Sequence, residues 1–258
     1  MLKLFRKIRQ KNIEAGKVKN YLLYAIGEIV LVVIGILIAL QINSWSEENK
    51  DQKLEQLYYC KFLEDVEQDL ALLQEQENDN SMRIAATNRL IHLLQKEKPE
   101  RSEVVKSLRD AVNKTSFPFT VSQNAFDDLK SSGKLIVIGD GSLKKKLLNY
   151  YVDLQGYAGV LKTSNEAVVN VFSNPSKDFV AIGFQELQAV KSVLDTTLVD
   201  IDRLNSVDYP SDLVRKTLLS DAIYYIQINA RAIAIRNLMR DEILSMKEVL
   251  EKKCSAKG

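Results

Sequence analysis

An ionisable side chain inside an apolar run is the feature of this chain with the most pointed chemistry. Glu28 stands in YLLYAIGEIVLVVIGILIALQI, residues 21 to 42, where 18 of 22 positions are apolar. An ionised carboxylate in hydrocarbon is costly, so it must be neutral, paired or turned to water; it then either relays ions or holds helices together. Its neighbours favour the second role. On a helical wheel Glu28 shares a face with Gly35 and Ile42, beside small residues at Gly27, Gly35 and Ala39. Gly35 and Ala39 form a small-xxx-small pair, the spacing that lets two helices approach closely enough for polar groups to bond across them. A single span holds no second charge to receive a proton, so Gly27, Glu28, Gly35 and Ala39 are read as an interaction face. Ion relay by Glu28 is the alternative.

Other reactive residue types are sparse. The one His, His92, sits between Ile91 and Leu93 with no Cys nearby, which argues against a nucleophile and base pair. Two Cys and one His exclude zinc clusters and a disulfide framework, and no cofactor or metal motif stands out. Ser131-Ser132-Gly133-Lys134 resembles the end of a phosphate loop, but the first glycine of that motif would fall at Asp128, so helix capping explains Gly133 better. Glu64-Asp65 and Asp127-Asp128 read as ordinary helix-surface pairs. Cys60 and Cys254 come near the base of the first outer helix and the end of the last. A disulfide between them is geometrically possible in an oxidising compartment; two free thiols are the other reading, and the favoured one.

The elements that position these residues are helical. Only 4 Pro and 10 Gly occur in 258 residues. At about 1.5 Å per residue, residues 21–42 reach roughly 33 Å, enough for a bilayer core, with Tyr21 and Tyr24 at one interface and Trp45 beyond the other. Lys3, Arg6, Lys7, Arg9, Lys11, Lys17 and Lys19 against Glu14 precede the run, whereas residues 43–258 are slightly acidic. The positive-inside rule then gives a cytoplasmic tail over 1–20, a transmembrane helix over 21–42 and an extracytoplasmic region over 43–258. The length of the run and the absence of a cleavage site after Ala39 favour a signal anchor over a signal peptide.

The transmembrane helix is expected to continue outward, with Leu54, Tyr58, Phe62, Val66, Leu70 and Leu73 on one face, until Pro99 stops it. Short helices follow over 102–112 and 122–131. Leu135–Ile138 reads as an extended connection, and Asp140 and its neighbours as a capping turn. Long helices follow over 143–172, over 176–204 with an interruption at Gly183, and after Pro210. The last carries Leu218, Ala222, Ile226, Asn229, Ile233, Met239, Ile243, Met246 and Leu250 near one face, with Asn229 read as a buried residue that sets register and a ligand contact as the alternative. The fold class is all-α: one N-terminal transmembrane helix continuing into an antiparallel extracytoplasmic bundle, with an irregular insertion near 99–142.

Two stretches carry a family resemblance, Gly16 to Glu48 (GKVKNYLLYAIGEIVLVVIGILIALQINSWSEE) and Phe126 to Leu135 (FDDLKSSGKL). Together with the basic Phe5–Lys11 tail, they resemble an uncharacterised family of single-span membrane proteins from Bacteroidota, a domain-of-unknown-function class. Ser44 and Ser46 depart from its pattern, where Asn is more usual. The resemblance implies an inner-membrane anchor with a periplasmic helical domain, and brings no activity or catalytic residues.

The functional expectation is a non-enzymatic protein that acts by interaction, as a scaffold or accessory subunit of an envelope complex. Its partners are the lipid bilayer and either a second copy or another membrane protein met through the transmembrane helix; the slightly acidic outer region argues against nucleic acid. An extracytoplasmic sensory or ligand-binding domain is the alternative, and a 20-residue tail would oblige it to signal through a partner. An enzyme is the third reading.

Overall fold

Unbroken helical propensity and the absence of Pro or Gly between Gly35 and Pro99 produce one very long helix, α1, over Val18–Leu94. The computed structural model describes residues 18–174, 183–206 and 211–255. The basic tail up to Gly16, including Phe5–Lys11, lies outside them. The chain divides into two compact units, one reaching to Gln56 and the other spanning Leu57–Lys257, and α1 contributes to both.

In the first unit α1 is long and apolar enough to cross a membrane, and none of its apolar window is buried within the chain. Leu31 is 70% exposed, and Leu22, Ile29 and Ile42 are exposed too.

In the second unit the described residues form helices and turns, with no strand among them. These are α2 (Arg101–Ala111), α3 (Asn124–Ser131), a 3-10 turn (Leu135–Val137), α4 (Gly141–Phe172), a 3-10 turn (Phe184–Glu186), α5 (Gln188–Lys191), α6 (Ile201–Asn205) and α7 (Asp212–Ser255). Cross-links between α1 and α7 run in opposite order along the two helices. Cys60 joins Cys254, Glu67 pairs with Lys247, Glu77 with Arg240, Asn80 meets Asn229, and Arg215 donates to the Leu94 carbonyl. The two helices are therefore antiparallel. Helix α4 packs against α7, and its capping residue Asp140 pairs with Lys253 near the far end of α7.

Apolar burial holds this unit at both ends. Toward the end of α1, Leu90, Leu94, Val104, Leu108, Ala111, Val168, Leu218, Ala222 and Tyr225 form one cluster drawn from α1, α2, α4 and α7. Toward the disulfide, Tyr58, Phe62, Val66, Leu129, Leu147, Tyr150, Leu154, Ile243 and Leu250 are buried. Burying each large side chain of this kind contributes about 1.5–3 kcal/mol.

Local signals explain the boundaries. Asp140 caps α4, its Oδ1 accepting from the Ser142 and Leu143 amides at 3.1 and 3.0 Å. Helix α3 ends in a Schellman turn: Gly133 adopts φ +69°, the Lys134 amide donates to the Leu129 carbonyl, and the Gly133 amide donates to Lys130.

Three expectations need correction. Leu135–Val137 is a 3-10 turn rather than an extended segment, because the Val137 amide returns to the Lys134 carbonyl. The helix expected over 176–204 is instead a series of short pieces in its described part. Gly183 turns at φ +128°, Leu187 is extended, and the Asp195 carboxylate accepts from the Thr197 amide and hydroxyl, a local bond that competes with helix. On α7, Ile233 is exposed, while Tyr225, Ala232 and Arg236 are buried in the face it was expected to share.

Candidate functional site

In the first unit the polar group of interest is Glu28. It is exposed and has no hydrogen-bond or ion-pair partner among the described residues. Gly27, Gly35 and Ala39 are exposed beside it, and a Cβ added at Gly27 or Gly35 would meet no heavy atom within 4 Å. Nothing among the described residues therefore requires glycine there. All four residues of this face turn outward from their own unit, the arrangement a helix presents to a neighbour or to lipid.

The second unit does the opposite, and builds two polar layers into its interior. One lies where α1 meets α3 and α4. Helix α3 has no side-chain cap of its own, and its N-terminal amides point at α1. Asp65 Oδ2 accepts from the Ala125 amide at 2.8 Å and Oδ1 from Asn124 Nδ2 at 3.3 Å. One turn on, Asp69 Oδ1 accepts from the Ser122 amide at 2.7 Å and Oδ2 from the Tyr150 hydroxyl at 2.7 Å. Two carboxylates of α1 thus cap a helix from outside it, at the end where helix dipole and free N–H groups favour negative charge.

Both acids are buried, so Asp65 is not the surface residue its pairing with Glu64 indicated. Burial raises the Asp69 carboxyl above its usual range, against the lowering effect of the Ser122 and Tyr150 hydrogen bonds. Burial likewise pushes the hydroxyls of Tyr150 and Tyr151 well above the ordinary tyrosine value. The Tyr150 hydroxyl donates to Asp69, and neither hydroxyl ionises at neutral pH.

The FDDLKSSGKL stretch acquires a structural meaning at this layer. The Phe126 ring lies 4.9 Å from that of Tyr151, Leu129 is buried, and Gly133 closes the helix. Asp128 accepts from Lys61 Nζ at 3.0 Å and from the Tyr58 hydroxyl at 3.1 Å, and Lys61 holds its carboxyl below the usual range. The motif is the lock between α3, α1 and α4.

The second layer crosses the middle of the bundle. Arg83 donates from Nε to Asn229 Oδ1, from Nη1 to the Asn113 carbonyl and from Nη2 to Asn80 Oδ1, each at 3.3 Å. Asn80 also donates to the Asn229 carbonyl, and Asn229 donates to the Tyr225 carbonyl at 2.8 Å. Arg236 is buried on α7 within the same layer. Sequence reading singled out Asn229 but missed both arginines and Asp69. The one local signal is the polar run Glu75–Ser81, which carries Asn80, the residue that accepts from Arg83.

The sequence-predicted cysteines meet. Cys60 and Cys254 are joined by a disulfide with Cα atoms 4.9 Å apart, the alternative that sequence reading held second. His92 is exposed.

A family of unknown function, DUF6090, matches residues 28–200, about two thirds of the chain. The chain belongs to DUF6090. The match spans Glu28, Cys60, both α1 carboxylates, Arg83 and the α3 lock of this DUF6090 chain. No curated protein and no solved structure matches it.

Proposed function

We propose that this DUF6090 chain is a membrane-anchored helical bundle that works by protein–protein interaction, as a scaffold or accessory subunit of a cell-envelope complex. The observation that carries the reading is Glu28: an acid without a partner among the described residues, in a helix long enough to span a bilayer, on a face whose small residues pack against none of those residues. Lipid offers such an acid nothing, whereas a second helix offers both a hydrogen-bond partner and, across Gly35 and Ala39, close approach.

The orientation follows from charge and redox chemistry. A basic segment precedes the span and belongs in the cytoplasm. The Cys60–Cys254 bond belongs in an oxidising compartment, the periplasm, on the other side. On this reading the bundle acts through its surfaces and its anchor.

The test is affinity purification of the intact protein in mild detergent beside Glu28→Leu, with mass spectrometry of what co-purifies. Discrete envelope proteins, or a second copy of the chain, should accompany the wild type and be lost from the variant. Identical recoveries from both would overturn the role given to Glu28.

A further inference from the structure

The segment that joins α3 to α4 is basic, in an outer region that is slightly acidic as a whole. Residues 130–146 hold Lys130, Lys134, Lys144, Lys145 and Lys146 against a single acid, Asp140. Asp140 is taken up by Lys253, and Asp128, two residues before the segment, by Lys61. None of the five lysines forms an ion pair among the described residues.

The same segment presents an apolar tip. Ile138 is buried and Leu135 and Val137 are half-buried, which fixes the 3-10 turn to the bundle, and Ile136 is left 85% exposed between them. The turn at Gly133 and the cap at Asp140 hold the two sides of this tip. Its place in the bundle follows from its neighbours. Asp128 meets Tyr58 and Lys61, Asp140 meets Lys253, and the Lys253 ammonium lies 5.8 Å from the centre of the Tyr59 ring. The segment therefore sits at the end of the bundle closed by Cys60–Cys254. The chain enters the bundle at this end, with Leu57 only 15 residues beyond Ile42. Fully extended, that length reaches no more than about 54 Å.

We propose that residues 130–146 dock the disulfide end of the bundle on an anionic lipid surface, with Ile136 entering the boundary between headgroups and acyl chains and the surrounding lysines meeting headgroup phosphates. The contact rests on the anchored reading given above and adds to it, since it belongs to the bundle and not to the apolar run. A lone isoleucine among like charges offers a protein partner little apolar area, whereas a lipid surface accepts an apolar tip and basic residues together. One tip and five charges hold a free membrane weakly. On a chain already kept at the bilayer, the tether supplies the effective concentration.

The test uses the full-length chain reconstituted in vesicles of phosphatidylcholine mixed with phosphatidylglycerol, with brominated acyl chains as quencher. Trp45 is the one tryptophan, so Trp45→Phe with Ile136→Trp sets a single reporter on the tip. Its emission should shift to shorter wavelength and lose intensity to brominated lipid. Both effects should disappear when Lys134→Glu and Lys145→Glu are added, and in vesicles of phosphatidylcholine alone. Trp45→Phe with Ile223→Trp, beside Ala222 at the opposite end of the bundle, should stay unshifted and unquenched. All these positions are exposed, so each variant should melt with the wild type. Hydrogen exchange of the unsubstituted chain gives an independent reading: amides of residues 134–138 should exchange more slowly in the mixed vesicles than in phosphatidylcholine alone. An unquenched Ile136→Trp reporter in a chain that floats with the vesicles overturns the docking and leaves the anchor standing. Quenching unchanged by reversal of the lysines overturns the anionic surface as the partner. A chain that does not float with the vesicles overturns the anchored reading, and this contact with it.

Discussion

The two units solve the problem of polar atoms in opposite ways. Up to Gln56, apolar side chains such as Leu31 and Ile38 are exposed, and Glu28 has no partner among the described residues. Beyond Leu57, acids, arginines and asparagines are drawn inside and nearly every one is given a partner: Asp65 and Asp69 cap α3, and Asn229 bridges Asn80, Arg83 and Tyr225. The first unit therefore has a surface suited to an apolar medium or another helix. The second has a surface suited to water and an interior whose polar layers specify which helices meet and in what register. The difference teaches where specificity resides. In the bundle it is carried by internal contacts; in the first unit, on the reading proposed above, it falls to a partner helix.

Removing the covalent tie should open the largest gap between the units. The Cys60–Cys254 bond closes a sequence separation of 194 residues, joining the start of the bundle's first helix to the end of its last. Cys60→Ser should destabilise the bundle by about 2–5 kcal/mol, read as a lowered denaturation midpoint under oxidising conditions. Membrane partitioning of the same variant should not change, because the apolar run from residue 21 to 42 is untouched. Equal midpoints for wild type and variant would show that the helices close without the tie.

Next in size is Asp65→Ala. It strips the Ala125 amide and Asn124 of their acceptor and leaves the first turn of α3 uncapped in a buried setting, at a cost of about 1–3 kcal/mol. Hydrogen exchange should localise the loss to α3 and the segment through Gly133, with α7 amides near Ala232 unaffected. Uniform loss of protection across the bundle would show that the layer is global, not local.

How much of this could be read in the sequence depends on which signals are periodic. The apolar run, the long helices α1, α4 and α7 and the stop at Gly133 follow from composition and spacing, and the structure has them; α1 ends at Leu94, five residues before the Pro99 expected to stop it. Asp65, Asp69, Arg83 and Arg236 were illegible for one reason: a charged residue on an amphipathic helix is assigned to water by default, and only the partner from another helix reveals otherwise. Ala125, 60 residues from Asp65, and Asn229, 146 residues from Arg83, cannot be foreseen from helical periodicity. The region after Gly183 failed differently. Its helix-favouring residues lack a continuous apolar face, and side-chain bonds such as Thr197 to Asp195 capture the backbone into turns.

The smallest effect is also the one that most sharply tests the buried acids. Burial raises the Asp69 carboxyl in the folded chain, whereas in the unfolded chain it titrates near its ordinary value of about 3.9. Between those two values the folded state binds more protons than the unfolded state, so this residue's contribution to stability falls as pH rises through that window. Asp69→Asn cannot titrate and lacks that dependence. The stability of the wild type relative to Asp69→Asn should therefore be greatest in acid and decline from about pH 4 upward, until Asp69 is ionised in both states. Denaturation midpoints of the two proteins across that range provide the check. A wild type that instead gains on the variant as pH rises would mean that the Ser122 amide and Tyr150 hydroxyl outweigh burial, so that the layer stabilises the ionised carboxylate itself.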